Sequence, residues 1–385
     1  MAVGWICANL LLGRTQQKTD NDTLAQRAVE AERRGDFAGA ASAFQQLIAN
    51  GADSPELRNN LGIVYFQLHD YGQALRQFRL ALSKDNKSVP ANLFSGLSLL
   101  KLQRPKEAIP LLRTARQAQP SSPDIVLALA QAEIAVNEIG QARRLYEEAT
   151  RLNGENAEAW YGLGISERVL AEERLKAAGA GSARRESQKL MDASNAALAR
   201  AVQLEPDGVG AYMILGESFR IAERYDEAVA EYQAATRQKP DFAPAWAGLA
   251  VAYSAAGNDD QALKAATRAV SLDADDAGTN ALIAGTYLRQ GDSEKAKPFA
   301  LRALALQPDL SAGHVVLAKI YLEEHQPEKA LPELRHAVKD DADGSMYYLL
   351  ATTLRQLGNQ REAAAAMQKY KQLHAAHVGP AERNP

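Results

Sequence analysis

The sequence predicts an all-α protein, a right-handed superhelical solenoid of about ten helix-turn-helix units. Three observations predict it. Alanine accounts for 73 of 385 residues while aromatics make up only 6%, which favours helices packed at close range over a β core led by Val, Ile, Thr and aromatic side chains. Alanines then recur at a spacing of 34, at Ala40, Ala74, Ala108 and Ala142 and again at Ala228, Ala262, Ala296 and Ala330. Finally, a small residue stands twelve positions before each: Ala28, Gly62, Gly96, Ala130, Gly216, Ala250, Ala284 and Ala318. A fixed period of this length is the mark of stacked supersecondary units.

Each part of the unit has a physical reason. Two helices that cross closely need Gly or Ala on both sides, and the small residues above supply both. A further column follows seven positions after the alanine, at Ala81, Ala115, Ala149, Ala235, Ala269, Ala303 and Ala337. Larger residues fill the space beside the crossing, at Tyr65, Phe219, Tyr253, Tyr287 and Tyr321, and bury area at roughly 25 cal/mol per Å². Trp160, Tyr212 and Trp246 mark the start of a first helix. Gly35-Asp36, Gly257-Asn258, Gly291-Asp292 and Gly358-Asn359 predict the turn that ends it. Pro120, Pro206, Pro240 and Pro308 stop the second helix.

The pattern resembles the tetratricopeptide repeat (TPR) family. It is clearest in YMILGESFRIAERYDEAVAEYQAATRQKP (Tyr212 to Pro240) and WAGLAVAYSAAGNDDQALKAATRAVSLDA (Trp246 to Ala274). The resemblance covers residues 21–377 as about ten units. The first unit, with Leu47 and no proline, and the last, with Tyr370 in place of a small residue, diverge as caps do. The fifth unit, 157–206, holds 18 extra residues. Its two helices are expected to be longer by about two turns each, joined by a loop at Gly179 to Ser182, with Leu170, Leu175, Leu190 and Met191 in the seam. Two readings stand for it: an insertion tolerated at a loop, or a protruding arm that adds a contact surface. Residues 378–385 read as a disordered tail. Residues 1–20 form a separate N-terminal segment. Its apolar start, 1–13, reads equally as a truncated or degenerate export signal and as a plain N-terminal segment.

A search for chemistry returns little. The formal charge is −3, with 44 basic and 47 acidic residues, and gives no electrostatic reason to expect a nucleic-acid partner. One cysteine, Cys7, rules out an intrachain disulfide and a thiolate metal cluster. No apolar run reaches the roughly 18–20 residues that span a bilayer. Phosphate-loop, zinc-helix and nucleophile-elbow motifs are missing. Gly162-Leu163-Gly164 lies on a repeat's first helix and reads as repeat consensus. His374 and His377 share a face of the last helix but are too few for a closed metal site. The acidic runs at Asp273 to Asp276 and Asp340 to Asp343 fall between repeats and read as turns and N-caps. With no segment left for a catalytic domain, the expectation is a protein that is not an enzyme and takes no cofactor. Exported and cytoplasmic locations are equally compatible.

What the resemblance implies about binding is more specific. In TPR proteins a partner meets the concave face, at the second, fifth, ninth, twelfth and thirteenth positions of the unit. Here the fifth, ninth, twelfth and thirteenth are Asn59, Ile63, Phe66 and Gln67 in repeat two, then Leu93, Leu97, Leu100 and Lys101 in repeat three. Leu127, Gln131 and Ile134 follow in repeat four, and Tyr161, Ile165, Arg168 and Val169 in repeat five. This apolar stripe either packs against neighbouring helices or forms a patch that marks an interaction site. Later repeats are more mixed, with Glu217, Val251, Leu288, Arg289, Val315, Lys319 and Leu322. Asn60 matches one residue of the family's carboxylate clamp, but Pro90 and Phe94 stand where its Lys and Arg belong. The leading expectation is a non-enzymatic scaffold that binds a protein, as a peptide or a helix, in the groove of repeats two to five. The alternatives are a targeting or regulatory subunit of an enzyme complex, resembling the TPR arm of glycosyltransferases, and an exported envelope-assembly factor.

Overall fold

A computed structural model describes residues 20–177, 182–206 and 208–377. The apolar start of the chain with Cys7, the loop at 178–181 and the tail from 378 lie outside the described residues, so the readings made of them are not addressed by it. The described residues form helices paired in chain order, with no strand among them. They fall into two compact units, the first ending at Pro206 and the second following it.

The first unit holds repeats one to five. Repeat one pairs α1 (20–33) with α2 (Phe37–Ala49), repeat two α3 (Pro55–Gln67) with α4 (Tyr71–Lys84), and repeat three α5 (Val89–Lys101) with α6 (Pro105–Ala118). Repeat four pairs α7 (Pro123–Ala135) with α8 (Ile139–Leu152), and repeat five α9 (Ala157–Ala177) with α10 (Ser182–Leu204). The second unit holds repeats six to ten. Its pairs are α11 (Val209–Ile221) and α12 (Tyr225–Gln238), then α13 (Ala243–Ala255) and α14 (Asp259–Leu272), then α15 (Ala277–Arg289) and α16 (Ser293–Leu306). Repeats nine and ten are α17 (Ser311–Glu323) with α18 (Pro327–Ala337), and α19 (Ser345–Gln356) with α20 (Gln360–His377). Within each unit, every helix also packs on the next one, and first helices approach one another across neighbouring repeats.

The turn inside a repeat closes both helices at once. In every repeat but the fifth, the residue that opens the second helix donates its N–H to a carbonyl five residues back, as Asp36 to Ala31 (2.9 Å), Arg104 to Leu99 (2.8 Å) and Asn258 to Tyr253 (2.9 Å). The residue before it takes a left-handed backbone. Gly35, Gly257, Gly291 and Gly358 do so with φ of 75 to 81°. His69, Gln103, Asn137, Glu223 and His325 hold the same position at φ of 57 to 66° without the freedom of glycine. The next side chain then caps the second helix: Asp36 accepts from Gly39 N–H (2.9 Å), Asp70 from Gln73 (3.0 Å) and Asp292 from Lys295 (3.1 Å).

The turn between repeats is pinned from the fourth position of the first helix. Trp160 Nε1 donates to the carbonyl of Gly154 (2.9 Å) and Trp246 Nε1 to that of Pro240 (3.0 Å). Asn92 Nδ2 reaches the carbonyl of Asn86 (3.0 Å), and His314 Nε2 that of Pro308 (2.8 Å). The aromatic mark seen in the sequence is therefore one form of a donor column that Asn and His also fill. The acidic runs behave as turn and cap residues: Asp276 caps α15 through Gly278 N–H (3.0 Å), and Asp341 accepts from Gly344 N–H (3.0 Å).

The core lies between the helices of each pair and the next helix along. All three small-residue columns are buried in it. Small faces large across the crossings. A Cβ on Gly62 would stand 2.5 Å from the ring of Phe78, and one on Gly96 2.5 Å from Leu112. The partnership also crosses repeats: Tyr146 of α8 fills the space left by Gly162 of α9, and Tyr232 of α12 sits over Gly248 of α13. Repeats four and five break the aromatic column with glutamate. Glu133 is 2% exposed and accepts from Arg113 of the preceding repeat at 2.8 Å. Glu167 is buried likewise, with Arg143 at 3.4 Å, and burial holds its carboxyl above the usual range against the pull of that arginine.

Helix α9 has 21 residues and α10 has 23, against 13 and 14 in their counterparts of repeat four. Their seam differs from the expected one. Ala171, Ser187, Ser194 and Leu198 are buried in it, with Ser187 donating to the carbonyl of Ala171 (2.8 Å) and Ser194 to that of Gly164 (2.7 Å). Leu170, Leu190 and Met191 flank it half-buried, whereas Leu175 is 55% exposed and lies outside it. Serines serve here because a short hydroxyl that returns its bond to a backbone carbonyl lets two helices approach. No helix among the described residues is long and apolar enough to cross a membrane.

Three stability predictions follow from these contacts, each read by chemical denaturation. Gly62→Ala destabilises by about 1–3 kcal/mol, and Phe78→Leu in the same chain recovers most of it, since Ala318 and Leu334 hold those two positions in repeat nine. Gln103→Gly stabilises by about 0.5–1 kcal/mol, the left-handed strain removed less the added freedom of the unfolded chain. Arg113→Met costs about 1–3 kcal/mol by orphaning Glu133, while Glu133→Leu, the residue of repeat three, is neutral or stabilising.

Candidate functional site

The partner-facing positions expected from the sequence lie on the first helices, between the core and solvent. In the first unit the structure places Ile63 and Phe66 on α3, Leu93, Leu97 and Leu100 on α5, Gln131 and Ile134 on α7, and Tyr161, Ile165 and Arg168 on α9. All ten are half-buried. Leu93, Leu97, Leu100 and Ile134 rest with one side on the buried cluster around Leu99, Leu112 and Val126. Ile63 and Phe66 rest on that around Phe78, with the Phe66 and Phe94 rings edge to face at 5.5 Å.

Two of the twelve expected residues are not available to a partner. Leu127 is 9% exposed and Asn59 7%, because the fifth position of their helices turns toward the neighbouring repeat. Asn59 Oδ1 has no hydrogen-bond partner there. The polar members of the row are engaged: Gln131 donates to Glu158 (2.6 Å) and Arg168 to Glu172 (3.2 Å). Contact with solvent is therefore apolar along α3 and α5, and becomes polar toward α9.

The second unit holds a better-formed concavity that the sequence reading passed over as mixed. A groove of about 820 Å³ opens on the first-helix face of repeats seven to ten. Its walls are Val251 of α13, Leu282 and Leu288 of α15, Val315 and Leu322 of α17, and Leu349 of α19. The floor runs along α15 over Gly278, Ala281 and Gly285, which hold the second, fifth and ninth positions of repeat eight. The signal was there in the sequence as absence of bulk: three small residues where repeat three has Pro90, Leu93 and Leu97. The polar side chains of its lining are Arg289, Lys319 and Glu323.

A smaller cleft of about 600 Å³ lies among α6, α7 and α8, lined by Arg113, Arg116 and Arg144 with Glu133 and Glu148. Arg116 pairs with Glu148 at 2.7 Å and Arg113 with Glu133, so its charges are largely spent in holding neighbouring repeats together. His374 stacks on Tyr370 at 5.2 Å, and no group of three or more His, Cys, Asp or Glu stands ready for a metal ion among the described residues.

Comparison with known proteins agrees with this architecture. Three family models, each described as tetratricopeptide repeat, match the chain. One matches residues 26–89, 61–123, 178–243 and 315–377, a second 99–165 and 219–284, and a third 277–310. No curated protein matches the sequence. Among solved structures the chain is similar to YrrB, a TPR protein with an unusual peptide-binding site, at 20% identity and a TM-score of 0.42, over 52% of this chain and 95% of that one. It is similar to the APC/C hetero-tetramer Cut9-Hcn1 at 14% identity and a TM-score of 0.43, over 92% of this chain and 87% of that one. It is similar also to yeast Tom70 at 15% identity and a TM-score of 0.42, over 93% and 92%. With ten in-phase repeats and a single family model spanning more than half of its length, the chain belongs to the tetratricopeptide repeat family.

Proposed function

We propose that this protein is a non-enzymatic interaction scaffold and that repeats two to five hold a protein partner on their first-helix face. The observation that carries the reading is the unbroken row of half-buried apolar side chains on α3 and α5, Ile63, Phe66, Leu93, Leu97 and Leu100, continued by Ile134 on α7. A side chain that already rests on the core has lost much of its rotamer freedom, so burying its open side costs little further entropy. The row is apolar enough to bind through anchors rather than charge. None of these six side chains carries a charge, which argues against a partner selected by a strongly charged tail.

The test is affinity capture from the source cells with wild-type chain and with Ile63→Glu/Leu97→Glu. The expected result is a defined partner held by wild type and lost by the double variant, whose helical circular dichroism and melting are retained. Capture of the same partner by both would remove the function from this face. Leu127→Glu is the wrong probe, since it buries a charge in the core.

A further inference from the structure

We propose that the groove of the second unit is a separate docking site for an amphipathic α-helix of a partner protein, one whose flank is acidic. The site is distinct from the row on repeats two to five and does not rest on it.

Gly285 points to an occupant. A glycine in mid-helix is costly unless something approaches it. Gly62 and Gly248 are explained by rings pressed against them, but a Cβ on Gly285 would meet Val316 Cγ2 at 3.8 Å and Arg289 Nη1 at 3.9 Å, both ordinary contacts, and its φ is that of the helix. Neither contact requires a glycine. What the residue provides is depth, in line with Gly278 and Ala281 along one side of α15. A bare track of this kind lets a second helix lie at close axial distance.

The lining selects a helix over an extended strand. An extended peptide laid in the groove would bury backbone N–H and C=O groups that must find partners. The walls offer three polar side chains, two of them already held: Arg289 by Asp259 (2.6 Å) and Ser254 (2.8 Å), and Glu323 by the hydroxyl of Ser293. A helix brings its backbone bonds satisfied. It needs only apolar anchors at i, i+3, i+4 and i+7, which Val251, Leu282, Leu288, Val315, Leu322 and Leu349 can receive.

Charge sets the flank. Lys319, at the ninth position of repeat nine, is exposed and forms no ion pair among the described residues. Arg355 on α19 is exposed and unpartnered in the same sense, at the position that Leu288 and Leu322 hold in the two preceding repeats. Glu323 is the acidic residue of the lining, and a serine already engages it. A helix with Asp or Glu beside its apolar stripe would pair with these cations, and a basic one would be repelled.

The experiment is selection of displayed random peptides of about 16 residues, long enough for four helical turns, on the purified chain. Gly285→Leu serves as the counter-target, because it fills the groove from open space. Gly285→Ala should melt higher than wild type, confirming that the unit itself has no need of the glycine. The expected yield is sequences with apolar residues at helical period and net negative charge. They should gain helicity on binding, bind Gly285→Leu at least about tenfold more weakly, and weaken by a similar factor with Lys319→Glu. Leu97→Glu should leave them unaffected. Peptides of alternating or proline-broken pattern, basic peptides, equal binding to Gly285→Leu, or no enrichment over it would each overturn the proposal. Should Gly285→Leu melt abnormally, the exposed substitution Lys319→Glu carries the comparison alone.

Discussion

The distance between helix axes governs everything else in this chain. A pair of helices of 13 and 14 residues cannot bury its apolar faces by itself, and must share them with the pairs on either side. Sharing works only if each crossing is close, so Gly or Ala stands at the crossings. The bulk displaced from one helix reappears on another: Phe78 over Gly62, Leu112 over Gly96, Tyr232 over Gly248. Tyr232 and Gly248 lie in different repeats. Stacking order is thus written into the side chains as well as into the chain path.

Once the crossings are fixed, the turns follow with little freedom. A Gly-Asp or Gly-Asn pair ends one helix with its first residue and caps the next with its second, so two termini are satisfied in two residues. The donor column at the fourth position ties the following turn to the next first helix. What remains unconstrained is the outer side of the first helices. There the two units diverge, large apolar residues along α3 and α5 and small ones along α15. Two surfaces built on one scaffold therefore offer different shapes, one a ridge of anchors and the other a trough.

This division explains what could be read from the sequence. Columns that meet a backbone or a ring across a crossing tolerate only small residues, and the 34-residue period made them plain. The left-handed turn residue was legible only as glycine, because His69, Gln103 and Glu223 accept the same φ at a cost of about a kilocalorie that the surrounding bonds outweigh. The donor role of Asn92 and His314 was hidden behind Trp160 and Trp246, which share a function and not a residue type. Leu175 was misplaced in the seam and Asn59 and Leu127 on the open face, since helical spacing alone does not say how far a neighbouring helix covers a side chain. The groove of the second unit escaped for the opposite reason: it is made by atoms that are missing.

Glu133 and Glu167 restrict which neighbours their repeats accept. Both occupy a column that holds Tyr, Phe or Leu in every other repeat but the first, where it is Ala31, and both are buried. An aromatic residue there would pack against almost any neighbour. A carboxylate will not, since burial without its arginine costs several kilocalories per mole. Arg113 reaches Glu133 from repeat three, and Arg143 reaches Glu167 from repeat four. A neighbour without an arginine at that place would leave the acid buried and unpaired, whereas Arg79 of repeat two holds the same repeat position as Arg113 and would still suit it. An apolar pair in the same place would be at least as stable in the native stack, so the value of these ion pairs lies in what they penalise.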